Sequence, residues 1–180
     1  MVIWITGLSG AGKSTLATGL SAKLRDAGRS VVQLDGDELR SLFDAETVNQ
    51  SHHDRNARLA LALRYARLCQ VIASQGPTVV MATISLFREV HAWNRIHLPG
   101  YFELYLKVPL AELRRRDPKG LYQRFDRGEL RDLAGLDVPI DEPQTPDWVA
   151  EFEPGQTADR LAQQVWERLI ALMPKSAGGA

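Results

Sequence analysis

The sequence predicts an α/β protein: a three-layer sandwich in which a mainly parallel sheet lies between helices, with a lid. Three observations carry this expectation. Short apolar, β-favouring runs alternate with segments of helical period. The first run leads directly into a glycine-rich turn and a helix. Residues 117–146 then break the pattern with many charges, three glycines and four prolines. That length of irregular chain inside a compact domain is usually a functional lid or a disordered insert, and a lid is the expectation.

Taken in order, residues 2–6 form a continuous apolar run, as expected for a strand buried on both faces of a parallel sheet. Residues 13–27 read as a helix closed by Gly28, and 30–34 as a second strand. A short helix is expected over 36–43 and a polar loop over 45–53. Residues 54–75 carry Leu59, Leu63, Ala66 and Val71 at helical spacing, and Gly76-Pro77 stops them. Strands follow at 78–83 and 102–108, with a helix between them. Pro109 opens another helix, running to Arg116. A final strand is expected at 148–152 and an amphipathic helix at 157–173, with residues 174–180 as a frayed tail. Trp4, Trp93, Trp148 and Trp166 fall at core-like positions. The expected organisation is one domain over residues 1–180, with the lid at about 117–146.

Bulk composition excludes several functions. Of the 180 residues, 44% are apolar and 24% charged, the balance of a globular protein. Lys plus Arg equals Asp plus Glu at 22 each, so no net field draws the chain to nucleic acid or an anionic membrane. No apolar run approaches the roughly 20 residues that cross a bilayer, and the chain opens on a strand pattern instead of a signal segment. Cytoplasmic location is the expectation. The single cysteine, Cys69, permits no intramolecular disulfide and suits a reducing compartment. It is expected to be a small buried residue on a helix. His52 and His53 stand in a polar loop without further ligands nearby and are read as surface residues.

The chemistry starts at Gly7-Leu8-Ser9-Gly10-Ala11-Gly12-Lys13-Ser14-Thr15, which matches G-x-x-x-x-G-K-[ST] between a strand and a helix. This makes the fold one of the P-loop NTPase type. The glycines let backbone amides converge on phosphate oxygens, and the following helix adds free N–H groups and a positive dipole end. Gly7, Ser9, Gly10, Ala11, Gly12, Lys13, Ser14 and Thr15 form the expected ATP site. Lys13 should reach the β/γ-phosphates and the Ser14 hydroxyl should ligate Mg²⁺.

The third strand ends in Met81-Ala82-Thr83, without an acid, whereas the second ends in Asp35-Gly36-Asp37. Carboxylates at the carboxyl ends of strands lie in the crevice where open α/β sheets bind ligands. Asp37 is therefore placed to accept a proton from an attacking hydroxyl or to hold Mg²⁺ through water, while Asp35 is suited to capping the helix that begins beside it. No Asn-Lys-x-Asp guanine motif occurs, which disfavours a GTPase.

Four stretches together resemble the adenylylsulfate (APS) kinase family: Gly7-Leu8-Ser9-Gly10, Leu34-Asp35-Gly36-Asp37-x-x-Arg40, Asp54-Arg55, and Arg116-Asp117-Pro118-Lys119-Gly120-Leu121-Tyr122. The resemblance runs from Val2 to about Trp148. It implies transfer of the γ-phosphate of ATP to the 3′-hydroxyl of adenosine 5′-phosphosulfate, as in sulfate assimilation. It also implies Asp37 as the catalytic base with Lys13 beside it, and Asp35, Arg40, Arg55, Ser85, Arg88 and Lys119 on the acceptor side. Arg116 becomes the lid arginine near ATP. The expected partner is a small nucleotide-like acceptor, and a homodimer is compatible.

The chain departs from the family where an adenine would be held. Gln50 and Leu133 stand where two stacking phenylalanines are expected, Arg58 where the family has Asn, and Ala60 where it has Arg; Glu38 and Leu86 are further departures. Asn56 and Arg58 are candidate stand-ins, and Phe87 or Phe125 candidate rings. A kinase of a related acceptor, such as cytidine diphosphoramidate, is the alternative. A nucleotide-binding module without catalysis is the alternative of another class.

Overall fold

The structure, a computed structural model, describes residues 1–44 and 55–172. Gln50, His52, His53 and Asp54 lie outside the described residues. The elements run β1 (Val2–Thr6), α1 (Lys13–Asp26), β2 (Val31–Asp35), α2 (Gly36–Asp44), α3 (Arg55–Ala73), β3 (Thr78–Thr83) and α4 (Arg88–His97). They continue with β4 (Tyr101–Lys107), α5 (Leu110–Arg116), α6 (Leu121–Asp126), β5 (Trp148–Glu151) and α7 (Ala158–Leu172).

All strand pairs are parallel, in the order β2-β3-β1-β4-β5. Because side chains alternate across a strand, β1 feeds two cores. Ile3 and Ile5 pack with Leu16, Leu20 and Val165 on the α1/α7 face. Val2 and Trp4 pack with Tyr65, Ala66, Cys69 and Met81 on the α3/α4 face. The β1 residues are buried throughout, which is why this strand reads as an unbroken apolar run. Parallel order also puts every strand's carboxyl end on one rim, so the turns after β1, β2 and β3 meet there.

The fold differs from the sequence expectation in two places. The 117–146 stretch is not wholly irregular, for it contains α6. The Asp117 carboxylate accepts the N–H groups of Tyr122 (3.2 Å) and Gln123 (3.0 Å) and thereby starts that helix. Of the four tryptophans, only Trp4 is fully buried; Trp93, Trp148 and Trp166 are half-buried at the margins of the cores. Cys69 is buried, and burial pushes its thiol up to about 12, so it stays protonated and inert.

Candidate functional site

The glycine loop joins β1 to α1. Ala11 N–H donates to the Leu8 carbonyl at 3.2 Å, and Lys13 Nζ folds back to the same oxygen at 2.8 Å. Gly10 adopts φ +78°, and a methyl there would lie 3.6 Å from Pro118 Cδ. The Tyr122 hydroxyl donates to the Ser9 carbonyl at 2.9 Å. The 118–122 stretch therefore packs directly on the phosphate loop. This gives a physical reason for its specific sequence: Pro118 fits against Gly10, Asp117 starts α6, and Tyr122 is turned onto the loop.

At the end of β2, the Ser14 hydroxyl donates to Asp35 Oδ2 at 2.5 Å, and Asp35 Oδ1 accepts Asp37 N–H at 2.8 Å. Asp35 thus caps α2, as its position allows, and also backs Ser14. β2 ends beside the first turn of α1, so the Asp35 carboxylate meets the serine of the loop. Thr15 stands exposed one residue further along α1.

Asp37 forms an ion pair with Lys119 through Oδ2, which joins the 117–146 segment to the end of β2. Burial would raise the Asp37 carboxyl, but the Lys119 hydrogen bond and charge, with Arg40 and Lys13, hold it below its ordinary value. Lys13 is lowered as well, which for an ammonium disfavours the charged form. Burial strips water from its ammonium and brings it down to about 8, opposed by Asp37, assisted by Lys119 and opposed again by Asp35.

A cavity lies beside this cluster, lined among others by Arg40, Arg58, Tyr65, Ser85, Phe87 and Val138. Ser85 is buried, shares a hydrogen bond with Thr83 Oγ1 at 2.8 Å, and holds φ +30°, a strained value for a residue with a side chain. Arg58 donates to the Asp132 carbonyl at 2.5 Å, and burial and the neighbouring Arg40 charge draw its guanidinium down. Asn56 is exposed, so Arg58 alone of the two stand-ins faces the cavity. Phe87 lines the cavity, whereas Phe125 packs against the α1/α7 core. Leu133 is also buried in that core, fixed because Asp137 accepts its N–H at 2.6 Å; its neighbour Ala134 reaches the cavity.

Arg55 and Arg88 meet at one carboxylate. Arg55 Nη2 lies 3.1 Å from Asp141 Oδ2, and Arg88 Nη2 lies 3.7 Å from Oδ1. Arg116 is engaged elsewhere: its Nε donates to Glu112 at 2.7 Å and its guanidinium lies 5.1 Å from the Phe152 ring centroid. Arg114 and Arg115 pair with Asp126 and Glu112. The structure thus gathers Lys13, Ser14, Asp35, Asp37 and Lys119 into one cluster, with Arg40 and Ser85 on the adjoining cavity. Three participants were not singled out in the sequence. Tyr122 carried a signal inside its motif, but Thr83 and Asp141 acquire their contacts only through tertiary packing.

A glycine loop with its lysine and serine, facing a carboxylate and an arginine-lined cavity, defines a P-loop phosphotransferase. A family model for adenylylsulphate kinase matches residues 1–151. An adenylyl-sulfate kinase of Paraburkholderia xenovorans is 40% identical over 153 residues, 84% of this chain and 83% of the relative. A cytidine diphosphoramidate kinase of Campylobacter jejuni is 37% identical over 143 residues, 79% of this chain and 81% of the relative. Among solved structures, the APS kinase of Mycobacterium tuberculosis in complex with AMPPNP and APS superposes with a TM-score of 0.83. It is 33% identical and covers 94% of this chain and 96% of its own. The chain belongs to the adenylylsulphate kinase family and is an ATP-dependent kinase.

Proposed function

We propose that this kinase transfers the γ-phosphate of ATP to the 3′-hydroxyl of adenosine 5′-phosphosulfate, a cytoplasmic step of sulfate assimilation. One observation carries the reading: donor and acceptor groups meet in the short stretch from Asp35, at the end of β2, to Arg40 on α2. Asp35 touches Ser14 of the phosphate loop, Asp37 follows two residues on, and Arg40 lines the neighbouring cavity. In-line transfer needs this adjacency, because catalysis here is mostly positioning and charge stabilisation.

Lys13 and the loop amides take the ATP phosphates. The oxygen-only pair Ser14–Asp35 suits Mg²⁺, a hard cation that keeps phosphate and water oxygens as its other ligands. When bound, the ion neutralises charge on the phosphates. Asp37 accepts the hydroxyl proton through Oδ1, which has no partner among the described residues, while Lys119 holds Oδ2. The acceptor's anionic group lies with Arg40, Arg55 and Arg88, whose planar forks match oxyanions.

A second acceptor, cytidine diphosphoramidate, is favoured by the cavity's lining. Leu133 is sunk in the core where a stacking ring is expected, and the Arg58 guanidinium is present instead. Guanidinium only donates hydrogen bonds. Cytosine offers O2 and N3 as adjacent acceptors, whereas adenine sets its N6 donor beside N1. The deciding experiment measures acceptor-dependent ADP release with adenosine 5′-phosphosulfate, cytidine diphosphoramidate and sugar phosphates. Turnover with the first supports the primary reading, and no release with it removes that reading.

Nucleotide binding should also take up a proton. Polyphosphate beside Lys13 favours its charged form and restores the value that burial brings down to about 8. Calorimetry in buffers of different ionisation enthalpy is expected to show uptake approaching one proton per ATP near pH 9, and little near pH 6.5. The Lys13→Arg variant, always charged, should show no Lys13-linked uptake. Equal uptake at both pH values would remove this account of Lys13.

A further inference from the structure

Asp141 lies outside every motif, yet it touches two separate helix starts. Its N–H donates to the Leu86 carbonyl at 3.0 Å, and its own carbonyl lies 3.3 Å from His91 Nε2. His91 Nδ1 in turn lies 2.5 Å from Glu103, which is buried on β4. The Asp141 backbone is thereby fixed both to the turn after β3 and, through α4, to the sheet. Its carboxylate faces the first residues of α3 and α4. Oδ2 accepts from Arg55 Nη2 at 3.1 Å and from Arg88 N–H at 3.2 Å, and Oδ1 lies 3.7 Å from Arg88 Nη2.

The consequence for Arg55 is a fixed orientation. Its hydrogen bonds all run from Nη2, to both Glu89 oxygens at 3.2 Å and to Asp141. The Phe87 ring lies 5.4 Å from Cζ. A guanidinium has five N–H donors, so the Nε–H and the Nη1 pair remain available among the described residues. One end is tethered and the plane rests near a ring, so the Nε–H and the Nη1 donors, on opposite edges of the plane, are held in fixed directions and can each donate singly to an oxyanion. Arg55 and Arg88, which would repel each other if bare, are held side by side by the single carboxylate between them.

We propose that Asp141 is the positioning residue of the acceptor grip: from the returning limb of the lid it presents Arg55 and Arg88 together to the acceptor's anionic group. This rests on the reading of those arginines as acceptor ligands. It makes lid docking and acceptor capture one event, because the lid residue that docks against Leu86 is the same one that orients both cations. The Arg88 N–H bond, ahead of both guanidiniums, holds the Asp141 carboxyl below its ordinary value, so it stays ionised at working pH.

A merely structural bridge predicts something different. Arg88 and Glu89 are largely or half exposed, and such pairs add little to stability. Losing the Asp141 carboxylate should therefore spare the fold and ATP binding but not acceptor binding. The test is calorimetric titration of Asp141→Asn, Asp141→Glu and Arg55→Ala, with Mg·ADP present, using adenosine 5′-phosphosulfate and cytidine diphosphate as probes. ATP affinity and the thermal midpoint are measured in parallel. Asp141→Asn is expected to weaken whichever probe the wild type binds by about tenfold or more, with ATP affinity within about twofold. Asp141→Glu should recover most of the loss. In the Arg55→Ala background Asp141→Asn should add less than it costs in the wild type, since only the part of its effect that passes through Arg88 remains.

If Arg55→Ala weakens the probe and Asp141→Asn does not, the Asp141 role is wrong while the arginine reading stands. If Arg55→Ala changes nothing, or the wild type binds neither probe, the arginine reading fails and the proposal with it. Parallel loss of ATP binding, probe binding and thermal midpoint makes Asp141 a structural residue only. Tighter probe binding in Asp141→Asn makes it a competitor of the acceptor, and either result overturns the proposal.

Discussion

Replacing Asp37 by alanine is expected to lower turnover about 10²–10⁴-fold while Mg·ATP still binds. The magnitude is that of a positioned proton acceptor, and its selectivity follows from geometry. Asp37 has no hydrogen bond to the glycine loop among the described residues and meets it only through the Lys13 charge; its Oδ2 pairs with Lys119, and its backbone N–H is held by Asp35. Removing the carboxylate therefore leaves the Ser14–Asp35 pair in place. Lys119 introduces a confounding effect, since the same substitution frees its ammonium. The Lys119→Ala variant separates the two: it should keep the proton acceptor, lose this contact between the 117–146 segment and the end of β2, and fall well short of the Asp37→Ala defect.

The pH profile gives a second check. Lys119, Arg40 and Lys13 hold the Asp37 carboxyl below its ordinary 3.8 despite burial. A depressed value favours the charged form in the folded state; the associated stability is present above 3.8 and lost as pH falls through the folded value. The base is thus ionised throughout the neutral range, and its acid limb should move upward in Lys119→Ala. Near-normal kcat in Asp37→Ala, with acceptor and ATP saturating, would refute the assignment.

Much of the donor half was legible in the sequence, for a physical reason. A phosphate loop is built from contiguous residues, so strand, glycines, lysine and helix all appear in one line of sequence. The acid pair after β2 was equally plain, because parallel topology puts every strand end on the same rim. Which way each acid turns was not. Asp35 faces Ser14 only because β2 ends beside the first turn of α1, a fact of packing. Arg116 shows the same limit: its motif is local, but its partner Phe152 comes from the chain after β5.

The acceptor half was least legible. Arg40, Arg58, Ser85 and Val138 come from four separate segments, and their grouping depends on how α2, α3 and the 132–138 turn pack over β3. Helical spacing sends Arg58 and Tyr65 into the cavity and leaves Asn56 outside, a distinction that required knowing which face of α3 meets the sheet. Asp141 carried no signal at all. Its importance comes from Arg55 and Arg88, which lie 86 and 53 residues away in sequence.

Gly36→Ala is expected to cost as much activity as the loss of a catalytic group, although the added methyl carries no chemistry. Gly36 begins α2 where it crosses the end of β3. A Cβ there would lie 2.8 Å from Thr83 Oγ1, 3.1 Å from Thr83 Cβ and 3.4 Å from the Ala82 carbonyl. The first contact is shorter than real Cβ atoms tolerate, and Thr83 cannot easily yield. Its hydroxyl is tied to Ser85 Oγ at 2.8 Å, and both side chains are buried. The start of α2 must therefore lift away from the sheet. Asp35 lies just before this point and Asp37 just after it, so both carboxylates move together. The Tyr65 hydroxyl bond to the Gly36 carbonyl at 3.1 Å is strained as well. Overpacking of this kind costs about 1–3 kcal/mol of stability, and a displacement of about 1 Å at reacting groups can cost on the order of 10²-fold in rate. Relief should come from the other side of the contact. Thr83→Ala removes the oxygen at 2.8 Å and leaves the 3.1 Å approach, so Thr83→Ala in the Gly36→Ala background should regain part of both losses. Stability by denaturant titration and kcat for the two single variants and the double variant form a cycle with favourable coupling. Additive losses, or wild-type kcat in Gly36→Ala, would mean that the contact with Thr83 does not set the position of the Asp35 and Asp37 carboxylates.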